Sequence, residues 1–176
     1  NRTYKLPQHG FARNMMFELI DKTPAALKFQ LQPSEETLRM YPFYFNLQVS
    51  YRLDENCVIV DYRVENTGES EMLFSIGAHP GFILPAAINF CFLEFETDAP
   101  QNAFLFNHDG LLGDETVPLI IKDRRFYLTP NTFNRNALIF LHCDSDRITL
   151  GADNSARRVT VEFPGFPQLG LWAKPN

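Results

Sequence analysis

Between residues 45 and 53, Phe45, Leu47, Val49, Tyr51 and Leu53 alternate with Asn46, Gln48, Ser50 and Arg52. A period of two predicts a half-buried β-strand. Turn-forming residues Asp54, Glu55 and Asn56 follow. Over 57–66, Val58, Val60, Tyr62 and Val64 then share one face, opposite Asp61, Arg63 and Glu65. The two runs predict an antiparallel hairpin. Similar patterns predict strands at 15–20, 26–32, 71–76, 90–96, 117–122, 125–128, 137–142, 147–151, 157–163 and 169–173, with Pro, Gly, Asn and Asp between them. No long window shows helical periodicity with caps, and Glu35 and Glu36 read as a turn. The pattern predicts an all-β chain whose many antiparallel strands pack as a large β-sandwich, one domain over 1–176. The turn after Pro85 is abrupt, and the sequence leaves open whether residues are missing near 85–90.

Composition supports this picture. The chain has 176 residues, 45% of them hydrophobic, which suffices for a real core. Seventeen Phe and six Tyr suit strands better than helices. A net charge of −5 without a Lys/Arg run argues against nucleic acid or an anionic membrane as partner. Cys57, Cys91 and Cys143 form no C-x-x-C pair and read as structural thiols. No secretory leader or membrane-length apolar run is read in the sequence, so a cytoplasmic protein is expected. The chain starts at Asn1 rather than Met.

Nucleotide-binding and hydrolase signatures (G-x-G-x-x-G, G-x-x-x-x-G-K-S/T, G-x-S-x-G) are absent. The four histidines lack metal-ligand spacing, so no metal or cofactor is expected. Two histidines stand in glycine-flanked contexts. His9 precedes Gly10, with Arg13 four residues on, and a guanidinium fork suits hydroxyl or carboxylate oxygens. His79 lies in Gly77-Ala78-His79-Pro80-Gly81-Phe82, after the predicted strand 71–76. Pro80 biases His79 to an extended backbone. Imidazole suits proton transfer near neutral pH. Spacing alone leaves both histidines open between that role and an ordinary loop residue.

The phrases LPQHGFAR (6–13), SEETLRMYPFYFNLQVSYRL (34–53), VENTGESEMLFSIGAHPGF (64–82), NALIFLH (136–142) and FPGFPQLGLWAKPN (163–176) follow one another along the chain. Together they resemble the aldose 1-epimerase, or galactose mutarotase-like, family, in its shorter bacterial branch. The resemblance implies a supersandwich with a sugar cleft. It also implies interconversion of the α and β anomers of a free hexose. That chemistry needs an acid for the ring oxygen and a base for the anomeric hydroxyl, placed on opposite sides of the ring. By resemblance His79 is the general acid, and His9 is the second catalytic-site histidine, holding the sugar near the ring oxygen. Arg13 binds a hydroxyl. Asn136 falls where an acidic sugar-binding residue is implied, and it can bond a hydroxyl without charge. Phe82 is assigned to stacking on the sugar, whereas Trp172 stays open between cleft and core.

The family's general base, a glutamate, is expected beyond Asn176. A Gly-Arg segment is expected before residue 1. The chain therefore reads as the middle of a longer protein. Glu94, Glu96 and Glu162 read as strand residues. Two other readings are a hexose-6-phosphate 1-epimerase and a non-catalytic carbohydrate-binding sandwich. The first would need basic residues at the cleft, and Arg124-Arg125 and Arg157-Arg158 are the adjacent pairs available. The expected partner is a glucose- or galactose-like monosaccharide, bound by a monomer or homodimer.

Overall fold

The computed structural model describes residues 3–97 and 100–174. Contacts divide the chain into two compact units, Asn1–Ile76 and Gly77–Asn176.

The first unit is one four-stranded antiparallel sheet in sequence order: β1 (Glu18–Thr23), β2 (Ala26–Leu31), β3 (Phe45–Asp54) and β4 (Cys57–Asn66). The register sets Leu31 against Leu47 and Leu47 against Val64. Phe29 opposes Val49, which opposes Tyr62. One face is thus apolar, with Leu31, Phe45 and Val49 buried. The other carries Gln30, Asn46, Gln48, Arg63 and Glu65. The hairpin predicted over 45–66 forms in full, and its turn is made by Glu55, at φ 49°, and Asn56.

The second unit is a sandwich. One sheet has the order β13 (Leu169–Leu171), β10 (Leu138–Phe140), β6 (Asn102–Phe106), β7 (Leu112–Pro118). The other has β12 (Ser155–Glu162), β11 (Arg147–Ala152), β5 (Cys91–Phe95), β9 (Arg125–Tyr127), β8 (Ile121–Lys122). Every pairing is antiparallel. Cys91, Leu93 and Phe95 of β5 point into a common core with Ala103, Leu105, Leu138, Phe140 and Ile148. Across it the rings of Phe95 and Phe140 meet edge to face, with centroids 6.0 Å apart. Each buried phenylalanine contributes about 2–3 kcal/mol, and the ring pair about 1 kcal/mol more. Ser145 is buried but satisfied. Its Oγ accepts from the Glu96 and Thr97 amides and donates to the Arg147 carbonyl.

Four predicted elements differ. Residues 71–76 form no strand. Leu73 and Phe74 are exposed, and the Leu73 carbonyl accepts from the Tyr41 hydroxyl at 2.7 Å rather than from a ladder. A strand propensity is expressed only where a neighbouring strand can pair. Residues 35–40, read as a turn, form helix α1 (Glu35–Met40). Ser34 caps it, exchanging bonds with Thr37 in a capping box, and Glu35 and Glu36 occupy the first turn, where acids favour the helix dipole. The strand predicted at 15–20 begins at Glu18, because the tight turn Thr23–Ala26 sets its register with β2. Finally, β6 was not predicted, and the strand predicted at 117–122 is the end of β7 plus β8. The β8–β9 turn uses Asp123 (φ 50°) and Arg124 (φ 63°), both left-handed without a glycine. Residues near 85–90 run through a 3-10 turn, Ile88–Phe90, directly into β5.

Candidate functional site

The loop bearing His9 is tightly formed. The Gly10 amide donates to the Pro7 carbonyl at 3.0 Å, closing a turn over Gln8 and His9. His9 has φ 66° and Gly10 φ 69°. For glycine that conformation is free, but for a residue with a Cβ it costs about 1–2 kcal/mol. A 3-10 turn, Ala12–Asn14, follows and carries Arg13, whose side chain is exposed. Phe11 anchors the loop. Its ring lies 5.7 Å from that of Tyr41 and 5.9 Å from that of Phe45. Tyr41 also stacks near Phe43 at 4.8 Å. Burial raises the Tyr41 pKa above its ordinary 10.0, so the phenol stays protonated and can donate to Leu73. Motif reading missed Tyr41 as a positioning residue, although the aromatic run Tyr41–Phe45 is a visible signal for it.

His79 and Phe82 lie in the second unit, in an exposed segment without regular structure rather than at a strand end. A methyl group built at Gly77 or Gly81 would meet nothing within 4 Å, so the backbone flanking His79 is open to an approaching molecule. Phe82 is 47% exposed.

Asn136 and Trp172 come to the same end of one strand pair. Leu138 opposes Leu171, Asn136 precedes the first, and Trp172 follows the second. Asn136 is exposed at φ 77°, a conformation asparagine tolerates well. Its amide donates to the Phe133 carbonyl, and its Oδ1 accepts from the Ala137 amide at 2.9 Å. Asn136 therefore shapes its own turn. Beside it, Arg135 pairs with Glu115. Trp172 is 51% exposed.

Three of the four arginines in the adjacent basic pairs are engaged elsewhere. Arg124 donates to the Glu96 carbonyl at 2.6 Å, and Arg125 to Glu94 at 2.7 Å. Arg125 and Arg158 both lie over the ring of Phe92, which is fully buried. A cleft of about 340 Å³ beside them, lined by Glu94, Glu96, Arg124, Arg147, Thr149 and Thr160, contains none of the predicted site residues. Among the described residues no cluster of His, Cys, Asp and Glu could hold a metal. No helix among them is long and apolar enough to cross a membrane.

Comparison with known proteins adds the family. The sequence profile described as aldose 1-epimerase matches residues 1–174. The chain belongs to the aldose 1-epimerase family. It is 29% identical to Protein LacX, plasmid, of Lactococcus lactis subsp. lactis, over 96% of this chain and 59% of that protein. It is 32% identical over 136 residues to a protein of Escherichia coli (strain K12) provisionally named glucose-6-phosphate 1-epimerase, covering 71% of this chain and 42% of the relative. Among solved structures, a galactose mutarotase related enzyme from Lactobacillus acidophilus superposes with a TM-score of 0.87. That structure is 29% identical, and the match covers 98% of this chain and 59% of the other. The all-β antiparallel architecture is that of this epimerase family. The chain spans about three-fifths of the length of LacX and of that structure.

Proposed function

We propose that this epimerase-family chain carries most of the sugar-binding half of an aldose 1-epimerase acting on a free hexose, with His79 as general acid. In this reading His79 gives a proton to the ring oxygen while a carboxylate takes the anomeric hydroxyl proton. The C1–ring-oxygen bond breaks and the aldehyde forms. Rotation about C1–C2 exposes the other carbonyl face, and closure reverses both proton transfers. His9 holds the sugar near the ring oxygen. Arg13 and the Asn136 amide bond hydroxyls, and Phe82 and Trp172 stack on C–H faces. The carboxylate is proposed to come from sequence beyond residue 176, so the assay belongs to the full-length polypeptide.

The observation that carries the reading is the left-handed backbone at His9. A non-glycine residue in the left-handed region persists where the surrounding structure over-determines it, and such residues cluster at active sites. Family membership supplies the reaction class. Polarimetry of freshly dissolved α-D-galactose and α-D-glucose tests the proposal, with His79→Ala expected to remove most of the rate acceleration.

The provisional name of the Escherichia coli relative favours a second reading, a hexose-6-phosphate substrate. Phosphate recognition would need available guanidiniums. Arg124 and Arg125 are bonded to Glu96 and Glu94, which supports the unphosphorylated sugar. Competition of glucose 6-phosphate against glucose decides between them. Free Cys57, Cys91 and Cys143 support a reducing, cytoplasmic compartment.

A further inference from the structure

The first unit has a cleft of mixed polar and apolar lining, Met15 and Leu31 among its walls, that the epimerase reading does not use. Its volume is about 330 Å³, and its walls include Met16, Glu18, Gln30, Gln32, Ser34 and Glu36. Gln30 lies opposite Glu18 on one side and Gln48 on the other. Opposed side chains on one sheet face have Cβ atoms about 5 Å apart, so Gln48 is the cross-strand neighbour of a wall residue without itself lining the cleft. Asn46 is two residues along the same face. Asn46 Oδ1 and Gln48 Oε1 are both buried without a hydrogen bond to another group of the described residues. Buried acceptors are normally satisfied, and an orphan destabilises the fold. Two together on one sheet face, beside a cleft, indicate donors that arrive from outside.

The chemistry of the walls narrows those donors. Carboxamides are neutral and hold a donor and an acceptor side by side, which matches vicinal hydroxyl groups. Glu18 and Glu36 add acceptors and disfavour an anion. Arg63 and Glu65, opposite Gln48 and Asn46, balance each other's charge. Met16 is 92% exposed at the rim, an apolar thioether for a C–H face. Both oxygens are inaccessible as they stand, and because terminal amide torsions are soft, rotation of the two carboxamides would turn them toward a donor in the cleft. The His9 loop is anchored elsewhere. Phe11 packs on Phe45, which leaves β3 from the opposite face to Asn46 and Gln48. We propose that this cleft binds a neutral polyhydroxyl compound, a saccharide or polyol, whose hydroxyls donate to Asn46 Oδ1 and Gln48 Oε1, independently of His9 and His79.

The test follows the methyl signals of Met15 and Met16 by NMR in the whole chain, titrated with D-galactose and with sorbitol. The Met16 signal should shift saturably, equally in the His79→Ala variant. Response to galactose alone assigns a ring saccharide, and response to both assigns polyols generally. Gln48→Leu and Asn46→Leu should each weaken binding roughly tenfold while raising the unfolding temperature, because each removes an unsatisfied acceptor. A Met16 signal unmoved by both probes overturns the proposal. So does unchanged affinity in both variants, or loss of folding in both, which would show the amides to be partnered already.

Discussion

Replacing His9 separately by glycine and by alanine isolates the backbone conformation from the imidazole. Both variants lose the side chain's contacts equally. They differ in what φ 66° costs. Alanine keeps a Cβ and pays about 1–2 kcal/mol in the left-handed region, and glycine pays none of it. Glycine loses about 0.4–1 kcal/mol through its freer unfolded chain. The glycine variant should therefore be the more stable by about 0.5–1 kcal/mol. For a chain of this size that is a difference of a few degrees in unfolding temperature. At an ordinary strand position such as Arg63 the order is reversed, with alanine favoured by about 0.5–1 kcal/mol. Urea or thermal unfolding of the four variants, Gly and Ala at residues 9 and 63, measures the inversion. Alanine more stable than glycine at residue 9 would refute the left-handed turn, and with it the argument that His9 is held in place against a local preference.

Three further outcomes follow from the packing and the charges. Gly151→Ala should destabilise the second unit by about 1–3 kcal/mol in chemical denaturation, because its methyl would sit 2.7 Å from the buried Phe92 ring; an unchanged midpoint would contradict the stacking of Phe92 beneath Arg125 and Arg158. Glu115 has its pKa lowered from 4.5, first by the hydrogen bond from Arg135 and then by its charge. A depressed carboxylate contributes stability that is complete above about 4.5 and lost as pH falls through the lowered value; Glu115→Gln should therefore flatten the acid side of the stability profile, slightly and less so in high salt because the pair is exposed, whereas an equal change at pH 7 and pH 3 would contradict the pairing. Alkylation should label Cys57 first, since it is exposed. Cys143 should follow slowly, its thiol pKa raised chiefly by burial, and Cys91 only on unfolding. Mass spectrometry of timed samples reads the order.

The hairpin 45–66 was legible because ten-residue strands with strict alternation leave one register that buries the apolar face. Elements set by local chemistry were harder to see. Helix α1 has threonine rather than glutamate as the reciprocal partner of Ser34, and it is six residues long, so neither cap nor period announced it. The β8–β9 turn places Asp123 and Arg124 where a glycine would have signalled it. Apolar residues at 71–76 looked like a strand because pattern reports preference, while a strand also requires a neighbour. Of the candidate site, Gly10 pointed to the turn but not to His9 as its second left-handed residue. Asn136 was read as a sugar ligand, and its position also has a local reason, the turn it closes with Phe133 and Ala137. The roles of His79 and His9 came from the resemblance of G-A-H-P-G-F and Q-H-G-F-A-R. Their spacing carried no such information, because proton transfer depends on geometry across the sugar ring.

The central claim is that His79 protonates the ring oxygen. Its most direct test is the rate of optical-rotation decay of α-D-galactose with the full-length polypeptide and its His79→Ala variant. Loss of one general acid should lower the catalysed rate by about 100-fold or more, with the fold intact by thermal unfolding. A variant that equilibrates the anomers as fast as the unmodified protein would contradict the account.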